Sequence, residues 1–217
     1  MVIVTRPGNP AGLTEFADLA QPGLRLLHAD PRSSGAGDWA VVAEYGSAWL
    51  ERDDDEAAIS QLMAIWDNVR LLAPSARAAL TLFELGAGDA LVTYEQDARL
   101  AQERGVPLEI VIPARTILAQ YVAVIVDDNL AGSERAVAQA FLDYLMSDEG
   151  QTALSHYYLR STETSLEALP PLGQSFTIEE LGGWSHIYPH LIEMLWQEEI
   201  EPRLELETVP KLLPDKE

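Results

Sequence analysis

Across 217 residues, 35 acidic side chains outnumber 14 basic ones, and the net charge of −21 argues against a duplex nucleic-acid partner, whose affinity would come from neutralised phosphates. Cysteine is absent, which rules out disulfides, thiolate metal sites and a cysteine nucleophile, while 47% hydrophobic content is enough to bury one large core or two small ones. No run reaches the roughly 18 apolar residues of a membrane helix, and the opening residues lack the basic, apolar, small-residue order of an export signal.

The chain starts Met1-Val2-Ile3-Val4-Thr5, which reads as a strand already under way. Residues 24–28 (LRLLH) form a short apolar run, and a turn with Pro31, Ser33, Ser34 and Gly35 follows. Trp39, Ala40, Val42, Ala43, Tyr45 and Trp49 then predict a helix ending near Leu50. The acidic run 51–58 (ERDDDEAA) reads as a solvated helix junction ahead of a helix from Glu56 to Trp66. The pattern then repeats with a strand at 69–72, a Pro-Ser turn, a helix at 76–85, a Gly-Ala-Gly break and a strand at 90–94, an economical second βαβ unit. A helix over 96–103 ends at Gly105, and LEIVIP (108–113) is a strand. YVAVIV (121–126) predicts a further strand, apolar enough to be buried on both faces. Helices begin at Ser133, whose hydroxyl can cap it, and at Ser147, whose first turn is acidic. Residues 161–175 predict a surface crossing. Thr177 and Glu180 make a capping box before a C-terminal helical region holding Trp184, Leu191, Met194, Leu195 and Trp196. The charged, proline-broken tail from Pro202 is expected to fray.

A strand that ends in a small-residue turn and feeds a helix leaves the first N–H groups unpaired at the positive end of the helix dipole, which suits an anion. Ser34, Gly35 and Ala36 offer amide donors and one hydroxyl with no bulky side chain in the way. The plainer reading is that Ser33 or Ser34 only caps the helix. Pro74-Ser75-Ala76, followed by Arg77, Ala78 and Ala79, is a second junction of the same kind. In an open α/β sheet both junctions lie at the carboxyl ends of strands, where ligands gather. An enzyme built on Ser34 would lack a G-x-S-x-G elbow, a P-loop lysine and an adjacent base. His186 and His190 stand four apart, but the intervening Pro189 and the lack of a third ligand nearby argue against a metal site. Tyr157-Tyr158 read as packing and helix-boundary residues.

Several of these segments resemble the substrate-binding proteins of sulfate-type ABC transporters. GNPAGLTEFADLAQPGLRLLHADPRSSGAG is similar to that family's Gly-Asn-Pro, Asp-Leu and Pro-Gly elements followed by its Asn-Pro-Lys-Ser/Thr-Ser-Gly-x-Ala-Arg signature. SARAALTLFELGAGDALVTYEQDA resembles the next helix and the crossing strand, and VAQAFLDYLMSDEGQTALSHYYLRS and FTIEELGGW resemble later helices, so the likeness runs from Thr5 to Trp184. Asp30, Arg32, Gly37 and Asp38 depart from the signature's Asn, Lys, Ala and Arg.

The resemblance implies an α/β chain with the type II periplasmic-binding-protein fold, two βα lobes joined by hinge strands, with the first part of lobe one missing. Residues 7–115 would form lobe two, and residues 1–6 with 116–217 a remnant of lobe one plus the C-terminal helices. It places ligand contacts at Ser34, Gly35, Ala36, Ala79 and Tyr94, and implies no catalytic residue, metal or cofactor. Tyr94 stands where sulfate binders carry a tryptophan, and is similar to related molybdate binders in offering a hydroxyl. Glu95 and Asp97 belong to the hinge-strand ending, with a surface or hinge role. The implied ligand is a tetrahedral oxyanion, most readily sulfate or thiosulfate, with molybdate, tungstate or phosphate as alternatives. Asp38, facing inward, would accept from a protonated phosphate. Implied partners are an ABC permease in the membrane and a separate chain supplying the missing lobe-one segment, and the implied place is the periplasm or the extracellular face. A truncated paralogue used only for interaction is the non-binding alternative.

Overall fold

The computed structural model describes residues 1–126, 128, 131–161 and 169–207. Strand β1 (Val2–Thr5) alternates its side chains, so Ile3 enters one core while Val2 and Val4 enter another. Apolar on both faces, it has to lie between two helical layers, and it pairs antiparallel with β4 (Ala90–Thr93) and β5 (Glu109–Val111). β2 (Leu26–Ala29) runs parallel to β3 (Val69–Ala73) and to β4, giving a five-stranded mixed sheet in the order β3-β2-β4-β1-β5. Helices α1 (Gly35–Arg52) and α2 (Asp55–Trp66) pack with Ile3 and Leu26, and α3 (Ala76–Glu84) and α4 (Glu95–Glu103) pack with Val2, Val4 and Leu27. All these elements fall within two residues of the expected bounds.

Two short strands and a 3-10 turn escaped the sequence pattern. β6 (Arg115–Ile117) and β7 (Gln174–Phe176) form a parallel pair, and Phe16–Ala20 makes a 3-10 turn. Three-residue strands are too short to show an alternation. They also depend on a distant glycine: a Cβ on Gly46 of α1 would stand 2.6 Å from the Phe176 ring, so only glycine lets α1 approach. The expected capping box at Thr177 and Glu180 is present and opens a 3-10 turn at Ile178–Leu181. α7 (Trp184–Ile187) then continues into a π-helical segment (Tyr188–Ile200) that buries Leu191, Leu195 and Trp196. In the tail, Glu207 pairs with Arg25, while residues 208–217 of the expected frayed end lie outside the described residues.

Contacts divide the chain into two units, Met1–Ala119 with Leu172–Glu217, and Gln120–Pro171. The second unit holds α5 (Glu134–Leu145) and α6 (Asp148–Ser155). Here one expectation fails outright. Residues 121–126 are not a strand, and Tyr121, Val122, Val124 and Val126 are exposed. Apolarity on both faces marks what a strand could bury but supplies no ladder partner, and among the described residues neither sheet includes this run. Ser147 caps α6 as expected, by accepting from Gly150 N–H. Ser133 does not cap α5 through its hydroxyl; Glu134 instead accepts from Ala131 N–H at 2.8 Å. Tyr157 is exposed rather than packed, and both tyrosines lie in the turn that ends α6. Of the expected crossing at 161–175, residues 162–168 lie outside the described residues, and its end becomes β7.

The core holds a charge that the sequence reading did not single out. Glu44 of α1 has no solvent exposure; its Oε1 lies 2.7 Å from His28 Nε2 of β2, and its Oε2 accepts from Trp66 Nε1 of α2 at 2.9 Å. Glu44→Ala is expected to leave His28 and Trp66 without their shared acceptor and to lower stability by about 3–5 kcal/mol, measured by urea unfolding.

Asp38 sits in the first turn of α1, half-buried, and its Oδ1 is buried with no partner among the described residues. Burial pushes its carboxyl up to about 6. A carboxyl raised above its unfolded value contributes stability that is fully present below about pH 4 and is lost as pH rises through about 6. Asp38→Asn is therefore expected to change little near pH 4 and, with partial exposure discounted, to add roughly 1 kcal/mol at pH 8. Denaturant titrations at the two pH values check the difference.

Candidate functional site

The turn after β2 is built by one residue's backbone and side chain. Asp30 O accepts from Ser33 and Ser34 N–H, and its Oδ1 accepts from Arg32 N–H at 2.8 Å. The turn is tied to its neighbour after β3, because Asp30 N–H donates to Ala73 O at 2.7 Å and Ser33 Oγ donates to Pro74 O at 3.2 Å. Two strand-to-helix junctions are thereby held side by side.

Ser34 is the N-cap of α1, with extended backbone and a hydroxyl that accepts a long bond of 3.3 Å from Ala36 N–H. Gly35 N–H has no backbone partner among the described residues, the residue is exposed, and a Cβ there would meet nothing within 4 Å. Ser75 caps α3 in the same way, taking Ala78 N–H on its hydroxyl at 3.1 Å, which leaves the Ala76 and Arg77 amides without backbone partners among the described residues. Tyr94, at the end of β4, is the N-cap of α4.

These three helix starts line one cleft of about 440 Å³, formed by Ser34, Gly35, Ala36, Ser75, Ala76, Arg77, Tyr94 and Asp97. Ser34, Gly35, Ala36 and Tyr94 were expected there. Ala79 lies one turn deeper, buried in the core, and its N–H donates to Ser75 O at 2.9 Å. The helix starts at Ala76, so the outward amides belong to Ala76 and Arg77, as the Pro74-Ser75 cap could have indicated. Asp38 is not among the lining residues, whereas Asp97 is, and Glu95 instead pairs with Arg99 at 3.2 Å. Desolvation pushes the Asp97 carboxyl up, against the opposing pull of Arg77 and Arg104.

The cleft therefore presents the starts of three helices, two serines, a tyrosine, one arginine and the Asp97 carboxyl group around a small open space. Such a donor set binds an anion through oriented N–H and O–H groups.

A family model for bacterial extracellular solute-binding protein matches residues 1–160. The chain is 35% identical over 196 residues to the sulfate-binding protein of Salmonella typhimurium, covering 85% of this chain and 59% of that one. It is 30% identical over 198 residues to the thiosulfate-binding protein of Escherichia coli, covering 86% and 58% respectively. Among solved structures, the sulfate-binding protein SubI of Mycobacterium tuberculosis superposes with a TM-score of 0.79 at 27% identity, over 88% of this chain and 68% of SubI. The chain thus spans under two thirds of the length of these sequence relatives, and it shares with SubI the type II periplasmic-binding-protein fold. With its helix starts gathered around a small donor-rich cleft, the chain belongs to the bacterial extracellular solute-binding proteins, alongside the sulfate- and thiosulfate-binding members.

Proposed function

We propose that this chain captures a tetrahedral oxyanion, sulfate or thiosulfate, in the cleft between the starts of α1, α3 and α4, as the substrate-binding component of an ABC importer. The observation that carries the reading is the convergence of three helix N-termini on one small cleft lined by Ser34, Gly35, Ala36 and Tyr94. A fully ionised sulfate needs donors on every side and no acceptor, which amides and hydroxyls supply. The naming of the relatives supports the same ligand class. An ABC permease as partner and a periplasmic location follow from this reading.

Tyr94 supports molybdate as the competing ligand, since a hydroxyl-bearing residue lines the cleft. Thermal melting with sulfate, thiosulfate, molybdate, tungstate and phosphate discriminates among them, because a ligand that binds only the folded state raises the melting temperature with concentration. A rise with sulfate or thiosulfate is expected; no rise with any of the five would sink the receptor reading. Ser34→Ala is expected to weaken oxyanion binding by about tenfold. Gly35→Val is expected to abolish it by placing a branched side chain against the open amide, and calorimetric titration of both variants checks the cleft.

A further inference from the structure

A second cleft of about 450 Å³ lies between α1, α2 and the C-terminal helices, and it is lined by Tyr45, Asp55, His186, His190 and Glu199 among apolar neighbours. The oxyanion site uses none of these residues. Pro189 does not separate the two histidines, because α7 runs on directly into the π-helical segment and the helical path continues past it. His186 and His190 therefore stack on one face with ring centroids 4.6 Å apart.

The hydrogen bonding prepares one of them as a ligand. His190 Nδ1 lies 2.6 Å from His186 O, and a carbonyl can only accept, so Nδ1 carries the proton and the neutral ring keeps its lone pair on Nε2. Metal-ligating histidines are oriented in this way, with the other ring nitrogen donating to a backbone carbonyl. His186 in turn packs over Gly182, where a Cβ would stand 3.0 Å from the ring. A metal–nitrogen bond of about 2.0–2.1 Å puts each ring centroid about 3.2 Å from a shared ion, so two ligands at about 90° would have centroids about 4.5 Å apart. At 4.6 Å the two rings are close enough to share one ion at such an angle. Both imidazoles are exposed, and the net charge of −21 concentrates cations around the protein.

We propose that His186 and His190 form a two-imidazole chelate for a divalent transition-metal cation of the zinc, nickel and copper class. No group of three or more His, Asp or Glu side chains suited to a metal occurs among the described residues, so water completes the coordination sphere. Neutral imidazole selects these borderline cations over calcium and magnesium, which prefer oxygen.

The test uses the full chain without a histidine tag, titrated calorimetrically with zinc, nickel and calcium chlorides. One zinc or nickel ion per chain is expected to bind, with at least tenfold weaker binding in His186→Asn and His190→Asn and no binding of calcium at the same concentrations. In the NMR spectrum of the unsubstituted protein, zinc is expected to shift the ring signals of His186 and His190 and to leave those of His28 and His156 in place. Unaltered zinc affinity in both variants, calcium binding as strong as zinc, shifts at His156 instead, or no zinc binding at all would each overturn the proposal. The NMR readout decides the matter even if a variant fails to fold.

Discussion

One buried carboxylate sets the geometry on which the rest of the molecule depends. Glu44 carries its charge in a position with no solvent exposure, and each of its oxygens takes a partner from a different element, His28 of β2 and Trp66 of α2. Apolar residues of similar volume could supply comparable stability, since removing two groups from water offsets much of the gain from pairing them. They could not supply the same register. Sliding α1 by one turn, about 5.4 Å, against β2 would strand an unpaired charge in the core. The indole of Trp66 also lies 4.9 Å from the His28 ring and 5.5 Å from Trp196, so the same pairing fixes where the C-terminal helices meet the sheet.

Fixing α1 against β2 has a direct consequence at the cleft. β2 sits between β3 and β4 and runs parallel to both, so the carboxyl ends of three adjacent strands point to the same edge. β2 feeds a helix on one face of the sheet, while β3 and β4 feed helices on the other. A crevice opens where the chain leaves neighbouring parallel strands in opposite directions, and ligands of open α/β sheets bind there. The cleft is thus a result of strand order. The small residues Ser34, Gly35, Ala36, Ser75 and Ala76 keep it open and line it.

The legible and illegible parts of the sequence divide along physical lines. The main sheet and its helices announced themselves because each buries a continuous face, which leaves a period of two or of 3.6 in the residues. The two junctions were legible because a capping serine beside small residues marks both the end of a strand and the start of a helix. Ala79 was misplaced relative to the outward amides because a run of small residues, Ala76 to Ala79 around Arg77, does not itself say which N–H comes before the first closed turn. The Glu44–His28 pair was illegible because sixteen residues separate its members and no local pattern marks a buried hydrogen bond between side chains. YVAVIV was misread for the complementary reason: its composition states a capacity for burial, but pairing is a property of the partner strand.

The charge of the molecule and the charge of its proposed ligand have the same sign, and the distance over which each force acts reconciles them. At physiological ionic strength the field of exposed carboxylates falls off within about 8 Å, so most of the −21 net charge is screened from an ion inside the cleft. Within the cleft, Arg77 and Asp97 contribute opposite charges that largely cancel. What remains is the set of amide and hydroxyl dipoles around the cleft, which act on an ion only at hydrogen-bonding distance. An anion held by uncharged donors is recognised by the number and direction of its acceptors. That is why the position of each helix start, governed by β2, α1 and the buried carboxylate between them, matters more to binding than the protein's overall charge.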